Sequence, residues 1–125
     1  MSDPHPSSKS CILLVEDERV SRDALHRLLA LSGYEVTSVG TVAAALAWLD
    51  DHACDCVIID LMLPDGAGTA ILERIRTQGS AARVAVATGT DDPALLAEAR
   101  RLKPDAFFEK PISLAKLTVW LNGDR

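Results

Sequence analysis

The sequence predicts an α/β fold: a five-stranded parallel sheet, doubly wound with helices on both faces as a (βα)5 chain. Three observations carry this. Short continuous apolar runs, Cys11-Ile12-Leu13-Leu14-Val15, Cys56-Val57-Ile58-Ile59 and Val84-Ala85-Val86-Ala87, suit strands covered on both faces of a parallel sheet. Segments of helical period alternate with these runs. The connections are short, and a right-handed crossover through a helix is the accessible way to join parallel strands.

Taken in order, residues 1–10 hold two prolines, four serines and no Val, Leu or Ile, too little apolar surface to offset the entropy of ordering. A flexible leader is expected there. The first strand follows at 11–15. Over residues 20–31 apolar side chains fall at 20, 24, 25, 28, 29 and 31, one stripe of an amphipathic helix, with Arg19, Arg22, Asp23 and Arg27 largely off it. Gly33 supplies the stop. Residues 35–39 form a weaker strand candidate, and Thr41 caps an Ala-rich helix reaching about Leu49. The third strand, 56–59, runs into Asp60. A helix over 69–75 sets Ala70, Ile71 and Ile75 in register, and the fourth strand spans 84–87. Asp92-Pro93 opens a helix to about Leu102; 105–109 is the second weaker strand. Ser113 caps a last helix with Leu114, Leu117 and Leu121 on one side.

Composition narrows the function classes. At 125 residues the chain has room for one domain of the usual ~100 to 150 residues. With 48% hydrophobic and 25% charged residues it has the means to build a core. Eighteen acidic against thirteen basic side chains give a formal charge of -5, which repels a phosphate backbone, so no direct nucleic-acid partner is expected. No apolar run approaches the ~18 residues of a membrane span, and the first ten residues lack a signal's apolar stretch. The expected compartment is the cytoplasm. Cys11, Cys54 and Cys56 are too few and odd in number for a disulfide framework and fit core positions.

At the carboxyl ends of the strands stand Glu16 and Asp17 after the first, Asp60 after the third, Thr88 after the fourth and Lys110 after the fifth. Open sheets hold their ligands outside these ends, where strand order reverses. Three carboxylates in one crevice repel, and a hard cation with oxygen ligands, Mg²⁺, is the usual resolution. A lysine offers a point charge to one phosphoryl oxygen and a threonine hydroxyl a neutral donor to another, so the set fits phosphoryl chemistry.

The chain from 11 to 122 resembles the receiver domains of two-component response regulators. The motifs are Leu14-Val15-Glu16-Asp17-Glu18, Asp60-Leu61-Met62-Leu63-Pro64-Asp65-Gly66-Ala67-Gly68, Thr88-Gly89 and Lys110-Pro111. Any one of them is common; four in order at the right strand ends are specific. The resemblance implies a flavodoxin-like strand order, 2-1-3-4-5, over residues 11–122, with 123–125 a tail. It implies that Asp60 is the phosphoacceptor, receiving its phosphoryl group from a histidine kinase or histidine phosphotransfer protein. Glu16, Asp17, Asp60 and the backbone carbonyl of Met62 would organise Mg²⁺. Lys110 would hold the phosphoryl group, Thr88 would swing in to hydrogen-bond it, and Pro111 resembles the cis-proline that aims Lys110.

Output in this family comes from the face made by the fourth helix, fifth strand and fifth helix (α4-β5-α5), switched by an aromatic on the fifth strand. Phe107 matches that aromatic, where a tyrosine often stands, so a hydroxyl bond favouring one rotamer is absent and a softer switch is expected. The first helix, with Arg19, Arg22, His26 and Arg27, resembles the kinase-docking surface. Met62 and Thr90, two residues beyond Asp60 and Thr88, match positions that tune phosphoryl lifetime; Met62 as a shield against water implies a longer-lived state. Such a chain is not an enzyme turning over a separate substrate; it assists its own phosphorylation and dephosphorylation. Its expected partners are the kinase or phosphotransfer protein and a downstream protein or output domain, acting on a monomer or a phosphorylation-dependent dimer. A stand-alone regulator and a receiver excised from a longer chain both fit.

Three other readings compete with this one. A haloacid-dehalogenase-type phosphatase needs a second aspartate two residues beyond the nucleophile, where Met62 stands. A nucleotide- or flavin-binding module needs a Gly-rich loop after the first strand, where Glu16-Asp17-Glu18 stands. A degenerate receiver, acting as a phosphorylation-independent interaction module, is the alternative that phosphorylation itself separates. Elsewhere, His52, Cys54 and Cys56 lack zinc-site spacing, Trp48 and Trp120 read as packing, and Arg100, Arg101 and Lys103 read as a solvated helix end.

Overall fold

A computed structural model describes residues 10–123. The leader expected over 1–10 lies, apart from Ser10, outside them, as do the last two residues of the tail.

Ten main elements alternate: β1 (Cys11–Val15), α1 (Arg19–Leu31), β2 (Glu35–Val39), α2 (Val42–Asp51), β3 (Cys56–Asp60), α3 (Thr69–Thr77), β4 (Arg83–Thr88), α4 (Pro93–Arg101), β5 (Ala106–Glu109) and α5 (Leu114–Leu121). All pairings in the main sheet are parallel, in the order β2-β1-β3-β4-β5, which is the flavodoxin-like order 2-1-3-4-5. Every residue of β3 is buried, as a central strand covered on both faces demands.

The sheet divides the core in two. Leu13, Val15, Val57, Ile59, Val84 and Val86 face α2, α3 and α4, where Ala45, Ile71, Leu72, Ile75 and Ala99 meet them. Ile12, Leu14, Ile58 and Ala85 face α1 and α5, meeting Leu29, Leu117 and Leu121. Each fully buried Leu or Ile contributes about 1.5 to 3 kcal/mol relative to exposure, so these layers fix the strand ends that carry the polar residues.

Helix starts follow the caps. Glu18 accepts from the Ser21 N–H at 2.8 Å, Thr41 from Ala44 at 3.0 Å, and Asp92 from Ala94 at 3.0 Å ahead of Pro93. α2 has a second cap from a distance: Asp65 accepts from Val42 and Ala43 at 2.8 and 2.9 Å. The bonds from Ala43 and Val42 hold the Asp65 carboxyl below the usual carboxylate range. They also tie the loop after β3 to the start of α2.

Some boundaries differ from the sequence reading. β3 and β4 extend to include Asp60 and Thr88, because the parallel ladder continues through the pairs Asp60–Ala87 and Thr88–Glu109. α2 runs on to Asp51 and α3 to Thr77, while β5 starts at Ala106. A two-residue hairpin, Met62–Leu63 with Gly66–Ala67, was not foreseen; it is too short to show any period. Among the described residues no helix is long and apolar enough to cross a membrane.

Candidate functional site

The sheet brings Glu16, Asp17, Asp60, Thr88 and Lys110 to one edge. Glu16 follows β1 and continues its ladder, its N–H donating to Val39 at 3.0 Å. Its side chain is buried: Oε2 accepts from the Glu18 N–H at 2.9 Å and Oε1 accepts from Lys110 Nζ. Asp60 closes β3, also buried, with Oδ1 accepting from the Met62 N–H at 3.1 Å and Oδ2 from Lys110 Nζ at 2.8 Å. Asp17 is exposed, yet one carboxylate oxygen from each of Glu16, Asp17 and Asp60 lies within 4.8 Å of the others.

One ammonium thus pairs with two of the three clustered carboxylates. Burial alone would lower the Lys110 pKa, but hydrogen bonds and charge from Asp60 and Glu16 outweigh it and hold the ammonium above the ordinary lysine value. The crevice keeps an excess of negative charge, and its donors are hard oxygens, the set Mg²⁺ prefers.

Thr88 is buried at the end of β4. Its hydroxyl oxygen accepts from the Thr90 N–H at 3.1 Å, leaving the hydroxyl proton to donate, and its carbonyl accepts from the Lys110 N–H at 3.0 Å. The Lys110–Pro111 peptide is cis. The Met62 side chain is 57% exposed. Gly68 lies beneath the site: a Cβ there would run into the Asp60 carbonyl oxygen and lie 2.7 Å from Ile59 Cγ2. That crowding has no local sequence signal.

Away from the crevice, Phe107 is half-buried against the core under α4, and the Arg100 guanidinium sits 4.8 Å from its ring centroid. Arg100 is exposed, as the solvated helix end read from the sequence requires, while its guanidinium also covers one face of that ring. Arg101 pairs with Glu98 in solvent. Two members of the basic set on α1 also turn inward. Arg22 Nη1 donates to the carbonyls of Glu16 and Asp17 at 3.1 and 3.4 Å, and His26 Nδ1 shares a hydrogen bond with Ser38 on β2. Arg22, in the first turn of the helix, reaches back over the loop before it, while His26 reaches across to β2, so both side chains have partners within the domain. Arg19 and Arg27 remain exposed.

The thiols sit at the opposite edge of the sheet. Burial pushes Cys54 up to about 12, and His52 stacks on Trp48 with centroids 4.5 Å apart. Trp120 packs under Arg83, whose guanidinium lies 4.2 Å from the ring centroid and donates to the Trp120 carbonyl at 2.6 Å. Among the described residues, Glu16, Asp17 and Asp60 are the one group of His, Cys, Asp or Glu side chains placed to share a metal ion.

Fold and site together define a flavodoxin-like signalling module with an acidic pocket at the carboxyl edge of its sheet. The chain belongs to the response regulator receiver domain family, whose sequence profile matches residues 12–122. Among curated relatives, it is 31% identical to the transcriptional regulatory protein FixJ of Bradyrhizobium diazoefficiens, over 94% of this chain and 57% of that protein. It is 35% identical to the sensory transduction protein RegX3 of Mycolicibacterium smegmatis, over 90% of this chain and 49% of that one. The chain spans about half the length of these relatives. Its structure superposes on a CheY-like receiver domain from Methanospirillum hungatei with a TM-score of 0.86 at 25% identity, covering 92% of each chain. A CheY-like receiver from Methylobacillus flagellatus gives 0.80 at 30%, covering 92% of this chain and 98% of that one. Receiver domains bind Mg²⁺ at an acidic pocket, and response regulators work with histidine kinases and output domains.

Proposed function

We propose that Asp60 accepts a phosphoryl group from a phosphohistidine on a histidine kinase or phosphotransfer protein, and that the change is read on the face formed by α4, β5 and α5. The observation that carries this is the buried Asp60 carboxylate, 2.8 Å from the Lys110 ammonium, with oxygens of Glu16 and Asp17 gathered within 4.8 Å. An Asp60 oxygen attacks phosphorus, the P–N bond to the donor imidazole breaks, and that nitrogen keeps the electron pair and takes a proton. Lys110 exchanges a carboxylate oxygen for a phosphoryl oxygen, and the Thr88 hydroxyl donates to another. Glu16, Asp17, Asp60 and the Met62 carbonyl would hold Mg²⁺, which when bound offsets the charge gathered by carboxylates and phosphoryl oxygens. Residues 11–122 form the working domain in this reading, and it acts in the cytoplasm without catalysing the turnover of a separate substrate.

Intact mass after incubation with acetyl phosphate tests this. Wild type with Mg²⁺ gains one phosphoryl group; wild type in EDTA and Asp60→Asn gain none. A folded, Mg²⁺-loaded wild type that gains nothing contradicts the proposal and favours the phosphorylation-independent interaction module. The same spectra followed over time test Met62, which stands two residues beyond Asp60, as the shield of a slowly hydrolysed acyl phosphate; decay unchanged in Met62→Ala contradicts that role.

Phe107 and Thr88 form the proposed switch. The Arg100 guanidinium over the Phe107 ring takes the place of a tyrosine hydroxyl bond in biasing the ring, with about 0.5 to 1 kcal/mol at an exposed site. Arg100→Ala should therefore move the rotamer populations about two- to fivefold toward those of the phosphorylated protein. The chain has two phenylalanines, so fluorophenylalanine labelling yields two ¹⁹F resonances. An Arg100→Ala spectrum at the unphosphorylated wild-type position contradicts the bias.

For kinase docking, the proposed surface is the groove between α1 and the start of α5, lined by Ala24, Leu25, Leu28, Ile112 and Leu114 beside Lys110. Leu28, Leu114 and the nearby Val20 are exposed, and Arg19 stands at the helix start.

A further inference from the structure

We propose that Arg22 is a positioning residue for the acidic pocket: from behind, it holds the turn that aims Glu16 and Asp17 at Asp60. The proposal rests on the Mg²⁺ reading of that pocket and adds a residue to it.

The turn between β1 and α1 must hold two adjacent carboxylates towards a third, against their mutual repulsion. Lys110 meets this charge from the front, through Glu16 and Asp60. Arg22 works on the other side, on the backbone. Its Nη1 donates to the Glu16 carbonyl at 3.1 Å and to the Asp17 carbonyl at 3.4 Å, the carbonyls of the two acidic residues themselves. Both bonds leave the same nitrogen, whose two N–H groups are fixed in the guanidinium plane, so one terminal amino group ties the two carbonyls together and limits their relative orientation.

A second observation comes from another strand. Gly40, just past β2, lies against the same turn: a Cβ there would sit 2.8 Å from Arg22 Nη1, 3.7 Å from Asp17 Cα and 3.7 Å from the Glu16 carbonyl oxygen. The backbone at Gly40 is not at positive φ, so conformation does not require glycine there. Space does: the missing side chain leaves room for the guanidinium. Partners that orient metal ligands without touching the metal typically change affinity by ~10- to 100-fold when removed.

The test is a calorimetric Mg²⁺ titration of wild type, Arg22→Met, Arg22→Lys, Gly40→Ala and Asp60→Asn, each with a denaturant midpoint measured alongside. Arg22→Met should raise the Mg²⁺ Kd about tenfold. Arg22→Lys, which keeps the charge but is shorter and loses the planar terminal amino group, should fall between it and wild type. Gly40→Ala should weaken Mg²⁺ with its unfolding midpoint unchanged, because the atom it displaces is the tip of a flexible side chain. Labelling by acetyl phosphate should return to the wild-type rate in all three once Mg²⁺ saturates. Folded Arg22→Met or Gly40→Ala protein with wild-type Mg²⁺ affinity overturns the proposal; if Arg22→Met does not fold, Arg22→Lys and Gly40→Ala decide on the same criterion. Wild type that binds no Mg²⁺, or Asp60→Asn that binds as tightly as wild type, overturns the pocket reading itself, a distinguishable result.

Discussion

Replacing Lys110 with Met is expected to destabilise the metal-free protein by about 2 kcal/mol and to slow labelling by acetyl phosphate about a hundredfold. The stability figure starts from the ~3 to 5 kcal/mol lost when one partner of a buried pair is removed, discounted because the Lys110 side chain is 26% exposed. Glu16 and Asp60, 8% and 9% exposed as side chains, would be left facing each other without their ammonium. Mg²⁺ should then stabilise the variant more than wild type, since binding to the native state alone adds stability by mass action. The sign of the pH effect follows from Lys110's raised pKa. Its contribution is complete below the unfolded value near ~10.4 and is lost as pH rises through the higher folded value, so only wild type should show that alkaline loss. Denaturant titrations with and without Mg²⁺ measure all of this. Equal metal-free stability of variant and wild type contradicts the electrostatic account of the pocket.

Gly68→Ala should cost at least as much stability, for a steric reason. Gly68 stands at the start of α3 with φ of -63°, a conformation any residue adopts. The obstacle is the Asp60 backbone, which an added Cβ would strike, along with Ile59. Backbone cannot step aside as a side-chain tip can, so the end of β3 and Asp60 with it must shift. A loss of about 3 kcal/mol is expected, with labelling reduced even where the protein stays folded. Gly89→Ala is the control: its Cβ would meet only Lys110 Cβ, at 3.7 Å, and should change stability by less than about 0.5 kcal/mol. Similar stability of the two variants contradicts the close-packing argument.

Both residues show where sequence reasoning reaches and where it stops. Lys110 was legible, because strand ends follow from apolar runs and the polar residues that close them form one short set. Asp60 and Glu16 are legible in the same way, as is the five-unit alternation, with three of the helices announced by the caps Thr41, Asp92 and Ser113. Gly68 stood inside a quoted motif, yet the reason for glycine there is contact with Asp60, eight residues away in the chain, which no local period encodes. Helical phase places Arg22 off the apolar stripe, and the resemblance places Arg22 and His26 on a docking surface, yet neither tells what these side chains bond within the domain. Phase says which way a side chain leaves the helix, not whether a long one folds back over the preceding loop. Arg100 on Phe107 and Arg83 on Trp120 are cross-element pairs of the same kind, set by how α4 and α5 dock on the sheet.

The central claim is that Asp60 is the Mg²⁺-dependent acceptor, and chemical trapping tests it most directly. Borohydride reduces an aspartyl phosphate to homoserine, which peptide mass mapping assigns to a single residue. After acetyl phosphate with Mg²⁺, homoserine is expected at position 60 and nowhere else, and it should vanish in EDTA. Homoserine at Asp17, Asp65 or another carboxylate, or an unreduced Asp60 in folded and Mg²⁺-loaded protein, would contradict the account.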